Sequence, residues 1–465
     1  ALFLCFAGFY LLTTSGHFYA VDEETNYVLA ESMGVRGTFE LPRGAWGLIL
    51  SPQSPAPGPA YSIFPPGQPL AVLPLLFLGR LLSPLFPPDQ LGYILRFCVA
   101  MFNPLVTAAM VALLYRLARL LGYSGRVALG LAVIYGLATT AWPQGRTFFA
   151  EPLTALLLIG ALYCMRQGTE RGGRAEPGAA DGEPARSLWG FSRAHALWLA
   201  LAGAAAVASL TVKPHAAIAL PALGLYLLGR SAAPRREGGR WAIDRPAALR
   251  AIVAFGVGGA IVAVPYAALN LALFGGPLST GYGTSPLSGF THPFLRGLYG
   301  LTIATGRGIF WFSPPLILAV IGARRFYRQH RAEALACLGV VVSHYAFYCG
   351  HFEWAGGGAW GPRYLMIALP FALLPLLSYL EMLRERRVWV ALGGVVVLAG
   401  FYVQLLPVVV NIDFYMIGDE EEHNFVPAAS PLLWHTRTFI SRVEEWRDVT
   451  FPPPNTAMLR QGFAT

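Results

Sequence analysis

Apolar residues in this chain run in long stretches broken by short segments rich in arginine, glycine and proline. That pattern predicts helices that are hydrophobic all round and lie in a bilayer. Candidate spans cover about residues 1–16, 93–114, 126–143, 151–166, 194–212, 214–229, 250–274, 308–323, 332–349, 364–381 and 387–410. A further apolar stretch, 66–83, lies between the first two and carries Pro66, Pro69 and Pro74, with Pro65 just before it. Whether it crosses decides the side of every later loop. If it does not cross, loops 115–126, 166–193, 230–250, 324–331 and 384–387 share one face and hold 21 of the 34 basic residues. Arginine collects on the cytoplasmic side, so 66–83 is read as a re-entrant or interfacial helix. The result is an all-α polytopic membrane protein of about 11 transmembrane helices, N-terminus in and C-terminus out. Residues 1–410 form the membrane domain, 17–92 its first outer loop, and 411–465 a short extracytoplasmic tail.

Composition agrees with that reading and removes alternatives. The 465 residues are 55% hydrophobic and 13% charged, with a mean hydropathy of +0.51; a soluble domain carries about 25% charged residues. The formal charge of +9 comes from arginines in short loops between apolar runs, where they set topology, so nucleic acid is not an expected partner. Cys5, Cys98, Cys164, Cys337 and Cys349 have no CxxC spacing and read as small core residues. Residues 1–14 are shorter than the roughly 20 needed to cross, so the natural N-terminus is expected upstream of Ala1. Loops 170–187 and 231–245 read as cytoplasmic linkers. No internal repeat is visible, which counts against an inverted-repeat transporter.

The parity of the spans sorts polar residues by side. Asp22, Glu23 and Glu24 stand just beyond the first span, at the start of an amphipathic segment, 22–33, that places Tyr27, Ala30 and Glu31 at helical spacing. Carboxylates this close to a bilayer are costly and point to function; the bland alternative is that Asp22 or Glu23 caps the helix. Glu151 opens the fourth span on the same side, although with Pro152 behind it an N-terminal capping role is the competing reading. Lys213, the only lysine, occupies a Lys-Pro turn on that outer side. A compact ammonium there suits a phosphate, with His215 as a neighbour; a snorkelling lysine is the simpler reading. Arg307 lies in a Gly-Arg-Gly-Ile-Phe-Trp-Phe-Ser-Pro-Pro segment. Glu353, Trp354, Arg363 and Tyr364 lie in Glu-Trp-Ala-Gly-Gly-Gly-Ala-Trp-Gly-Pro-Arg-Tyr. Glycines let backbone approach a ligand, tryptophans offer flat faces to sugars and arginines fork onto phosphate oxygens. An interfacial aromatic belt explains the tryptophans but not the triple glycine. His292, His344 and His351 lack metal-ligand spacing and read as structural.

The string Asp22-Glu23-x-x-x-Tyr27-x-x-Ala30 resembles the first outer loop of GT-C glycosyltransferases, the integral membrane class that includes lipid A aminoarabinose transferase and protein O-mannosyltransferases. Tyr61-Ser-Ile-Phe-Pro-Pro66 resembles the element that opens a juxtamembrane helix later in the same loop. Phe64 stands here where relatives carry a lysine. Arg146-x4-Glu151 resembles the second acidic site of the class. The resemblance implies a GT-C-like fold with juxtamembrane helices and an enzyme that moves a sugar from a polyprenyl-phosphate donor to a lipid, glycan or protein acceptor outside the cytoplasm, with inversion. In that reading Asp22, Glu23 and Glu151 are the catalytic candidates. Tyr61, Arg146, Lys213, His215, Arg307, Glu353, Trp354, Arg363 and Tyr364 bind substrate. No cofactor is demanded, though a divalent metal between Asp22 and Glu151 is compatible with the class. A flippase or transporter of a lipid-linked sugar is the alternative. The tail, with Asp413, Asp419, Glu420, Glu421, Glu422, His423, Trp434 and Trp446, is expected to pack over the outer mouth.

Overall fold

The computed structural model describes residues 1–44, 47–55, 57–170, 193–232, 235–237, 240–242, 245–283, 289–383, 387–410 and 420–450. Arg171, Arg174 and Arg186 of one basic loop, Arg384 and Arg386 of another, and Asp413 and Asp419 of the tail lie outside them.

Each of the apolar stretches contains a helix. The longer ones are Leu2–Thr13, Phe102–Leu120, Gly125–Ala138, Glu151–Gly168, Arg193–Val212, Leu220–Ser231, Arg245–Phe274, Leu316–Gln329, Arg331–Tyr348 and Arg387–Val409. The stretch at 364–381 is instead divided into Leu369–Leu373 and Leu376–Met382, with Pro375 at the break. Strand is confined, among the described residues, to two short antiparallel pairs, Glu40–Leu41 with Ala60–Tyr61 and Arg235–Glu237 with Arg240–Ala242. Among the described residues, five segments are long and apolar enough to cross a membrane: Gly67–Leu85, Pro88–Leu120, Arg193–Val212, Arg245–Phe274 and Arg387–Val409. The chain is a multi-pass, predominantly helical membrane protein.

Lipid supplies no hydrophobic drive between helices, so close contact depends on small residues. Helices Arg193–Val212 and Arg245–Phe274 meet backbone to backbone through Gly203 and Gly258. A Cβ at Gly258 would stand 1.8 Å from Ala200 O, and one at Gly203 1.9 Å from Phe255 O.

The second span differs from expectation. Instead of one helix over 93–114, Leu91–Ala100 and Phe102–Leu120 are separate, with a turn at Met101. Pro104 has no N–H to offer Ala100 O, so the helix restarts. Leu91–Ala100 packs against Gly67–Leu82, where Gly79 lies against Leu95 and Cys98. This excursion begins and ends at one level: Gln68 Nε2 donates to Phe148 O at 2.7 Å and Asn103 Nδ2 to Phe149 O at 2.8 Å.

The two ends of the bundle carry different polar clusters. Helix Glu151–Gly168 runs from the candidate site to Arg166, roughly 22 Å further along. There Glu333 faces Arg166 Nε at 3.5 Å and accepts from Tyr226 Oη at 3.0 Å. At the same end Tyr123, Gln329 and Ser378 share hydrogen bonds of 2.7–3.2 Å.

Candidate active site

Four separate turns, each fixed by its own local chemistry, meet at the other end. The helix Val21–Glu31 starts after extended Ala20, and Glu23 accepts the N–H of Ala20 at 3.1 Å and of Tyr19. Its other oxygen accepts Phe148 N–H at 2.6 Å. Glu23 therefore ties the first loop to the segment before Glu151, and its carboxylate faces backbone donors. Burial raises it to about 7, against the lowering effect of those three N–H groups. Packing of Tyr27 and Ala30 fixes the helix, and Glu24 pairs with Arg96. Asp22 is thereby turned into an open cavity.

Glu151, fully buried, stands at the first position of its helix with Pro152 next, where a missing N–H costs nothing. Lys213 sits at the break between Arg193–Val212 and the turn Pro214–Ala219. Arg363 follows a glycine loop in which Gly356, Gly357 and Gly361 have φ of +78°, +62° and +71°, a region open mainly to glycine. Its guanidinium lies 3.6 Å from the centre of the Phe149 ring.

These side chains form one continuous chain of charge. Arg363 Nη2 donates to Asp22 Oδ2 at 2.6 Å, Arg363 Nε to Glu151 Oε1 at 3.0 Å, and Lys213 Nζ to the same Glu151 oxygen at 2.5 Å. Glu151 Oε2 is buried without a hydrogen-bond partner. Two carboxylates and two cations balance, so the set is neutral before any substrate enters. Burial lowers Arg363, but Glu151 and Asp22 overcome it and hold the guanidinium above its ordinary range. Burial lowers the Lys213 ammonium while Glu151 acts to raise it. Asp22 retains side-chain exposure of 22% against 0% for Glu151, so Asp22 is the carboxylate that an incoming molecule meets.

The cavity has a volume of about 550 Å³, and Asp22, Phe149, Glu353, Trp354, Arg363 and Tyr364 contribute to its wall. Tyr364 Oη donates to Glu353 Oε2 at 3.1 Å, and Lys213 Nζ sits 4.3 Å over the Tyr364 ring. Trp354 is flanked by His292 at 5.2 Å and Phe425 at 5.4 Å, so it braces the wall more than it offers a stacking face. His215 stands beyond Lys213 among Phe347 and Tyr282. Three further candidates lie elsewhere. Tyr61 packs edge-on to Phe274. Arg146 donates to Pro407 O at 2.7 Å in a separate small cleft. Arg307 is engaged by backbone carbonyls and Asn424. Sequence reasoning did not single out Phe149, Arg296, Asn424 or Phe425, and it set His292 aside; all five line the cavity.

The first loop carries Asp22 to one end of an irregular helical bundle, and the fold resembles that of solved membrane-embedded glycosyltransferases. Among solved structures, the Archaeoglobus fulgidus oligosaccharyltransferase AglB, in complex with an inhibitory peptide and a dolichol-phosphate, matches with a TM-score of 0.55 and 12% identity over 88% of this chain and 56% of that one. ArnT from Cupriavidus metallidurans, bound to undecaprenyl phosphate, matches with a TM-score of 0.53 and 13% identity over 96% of this chain and 71% of that one. The chain thus spans little more than half the length of AglB. No family model and no curated protein matches it.

Another AglB structure, in complex with Zn and sulfate, has a TM-score of 0.56 at 14% identity, over 89% of this chain and 53% of that one. The residues here do not fit a divalent ion bridging Asp22 and Glu151. The Arg363 guanidinium stands between them and bonds to both, and no group of three His, Cys, Asp or Glu gathers among the described residues.

Proposed function

We propose that the chain is an inverting glycosyltransferase that moves a sugar from a polyprenyl-phosphate donor to an acceptor outside the cytoplasm, working from the outer face of a cytoplasmic membrane. The observation that carries this reading is the buried, neutral Asp22–Arg363–Glu151–Lys213 chain opening on a cavity through Asp22. The fold it shares with ArnT and AglB, both solved with a polyprenyl-type phosphate, supports the class of sugar donor.

In this reaction Asp22 takes the proton of the acceptor nucleophile as that atom attacks the anomeric carbon. The carbon–oxygen bond to the phosphate breaks, and its electron pair leaves on the phosphate oxygen. Arg363, in the cavity wall, faces the developing charge, and Lys213 supports it from behind through Glu151, where fixed cations act strongly. Positioned bases contribute about 10²–10⁴-fold. Glu151 holds both cations in place.

A flippase would use the same cations without a proton acceptor. The two are separated by measuring binding and turnover together, in nanodiscs, with a polyprenyl-phosphate hexose. Asp22→Asn should keep donor affinity and lose turnover, whereas Lys213→Ala should weaken affinity as well, because it leaves Glu151 to neutralise Arg363, the cation that faces the phosphate before and during reaction. Equal loss of affinity in both variants contradicts the assignment.

A further inference from the structure

The C-terminal segment touches the cavity at Asn424 and Phe425. What holds it there is Arg307, buried to 3% exposure. Its Nε donates to Asn424 Oδ1 at 2.8 Å. Nη2 donates to Gly357 O at 2.6 Å, and Nη1 to Gly361 O at 3.2 Å and to Ala359 O. One planar fork therefore binds three carbonyls of the glycine loop and one side chain of the tail. The neighbouring residue does the same in backbone: Gly306 N–H donates to Asn424 O at 3.2 Å, and a Cβ at Gly306 would stand 2.2 Å from His423 O. Phe425 is then gripped by Arg296, whose guanidinium lies 4.8 Å over its ring, by Trp354 at 5.4 Å and by Tyr299, stacked at 6.2 Å.

Arg363 follows Gly361 by two residues, so whatever fixes the glycine loop fixes the guanidinium that links Asp22 to Glu151. We propose that Arg307 is a positioning residue: it clamps the glycine loop and the 423–425 segment together, making the tail a wall of the catalytic cavity and setting the placement of Arg363. The geometry gives Arg307 no phosphate to bind, since its nitrogens already face acceptors within the protein. A lysine cannot replace it, because a single ammonium cannot reach acceptors spread over two segments in the pattern of a planar fork. The consequence for turnover rests on the glycosyltransferase reading, while the clamp itself does not.

The test uses Arg307→Lys, Asn424→Ala and Asn424→Asp in the full chain, reconstituted in nanodiscs. Backbone hydrogen exchange, measured without substrate, should rise in both 356–363 and 420–425 in Arg307→Lys and Asn424→Ala. It should stay near wild type in Asn424→Asp, whose carboxylate still accepts from Nε. With a polyprenyl-phosphate hexose, kcat should fall about 10–100-fold in Arg307→Lys, since a displacement near 1 Å costs about that much, while KM for the lipid changes less than about threefold. Exchange confined to one segment, or unchanged in both, overturns the clamp whether or not the protein transfers sugar. A rise in KM with kcat preserved would instead make Arg307 a phosphate ligand. If Arg307→Lys does not fold, Asn424→Ala and Asn424→Asp carry the same comparison: equal exchange in those two also overturns the clamp.

Discussion

Replacing Glu151 by glutamine removes the one group on which both buried cations depend. Its Oε1 accepts from Lys213 and Arg363 together, and the side-chain exposures of the three are 0%, 7% and 9%. Glutamine keeps the volume but leaves two cations with only Asp22, at the rim, to balance them. Breaking a buried ion pair by removing one partner costs about 3–5 kcal/mol, because the remaining charge is desolvated without compensation. Lys213→Met should cost less, since Glu151 keeps its contact with Arg363. The double variant Glu151→Gln/Lys213→Met returns the site to a neutral Asp22–Arg363 pair, so its loss should fall short of the sum of the two singles by more than about 1 kcal/mol, as expected for residues in one network. Equilibrium unfolding in mixed detergent micelles reads all three. Strict additivity, or a Glu151→Gln protein within about 1 kcal/mol of wild type, would refute the closed charge network.

Two further outcomes follow from the fold. Burial pushes the Glu23 carboxyl up to about 7 from an ordinary 4.5. Its contribution to stability is therefore full below about pH 4.5 and lost as pH rises through about 7; unfolding midpoints at about pH 5 and about pH 8 should differ in that direction, and Glu23→Gln should flatten the difference. Gly258→Val cannot be accommodated against Ala200 O without parting two helices, so it should abolish the folded fraction on size-exclusion chromatography, whereas Gly224→Ala, with open space around its Cα, should not.

Most of the helical plan was legible because a bilayer demands long apolar runs, and parity then put Asp22, Glu151, Lys213 and Arg363 on one side. Parity put Tyr61, Arg146 and Arg307 on that side too, so it is packing that gathers those four and leaves these three out. The break at Met101 was harder to see, since Pro104 sits inside an otherwise continuous apolar run. Arginine and tryptophan roles were least legible. Arg307 and Arg363 look alike in sequence, but only the fold shows that carbonyls at 357, 359 and 361 take up one while Asp22 and Glu151 take up the other. Trp354 packs against His292 and Phe425, which are distant in sequence. Glu23 and Asp22 are adjacent, and helical rotation alone sends one to backbone donors and the other to the cavity.

Whether Asp22 is the proton acceptor in sugar transfer is tested directly by single-turnover release of polyprenyl phosphate from a prebound polyprenyl-phosphate hexose, with a membrane extract as the source of acceptor. An asparagine side chain at this position keeps the hydrogen bond to Arg363 but has no basic oxygen, so Asp22→Asn should slow release by about 10²-fold or more at unchanged occupancy of the site. Release at the wild-type rate from Asp22→Asn would contradict the claim.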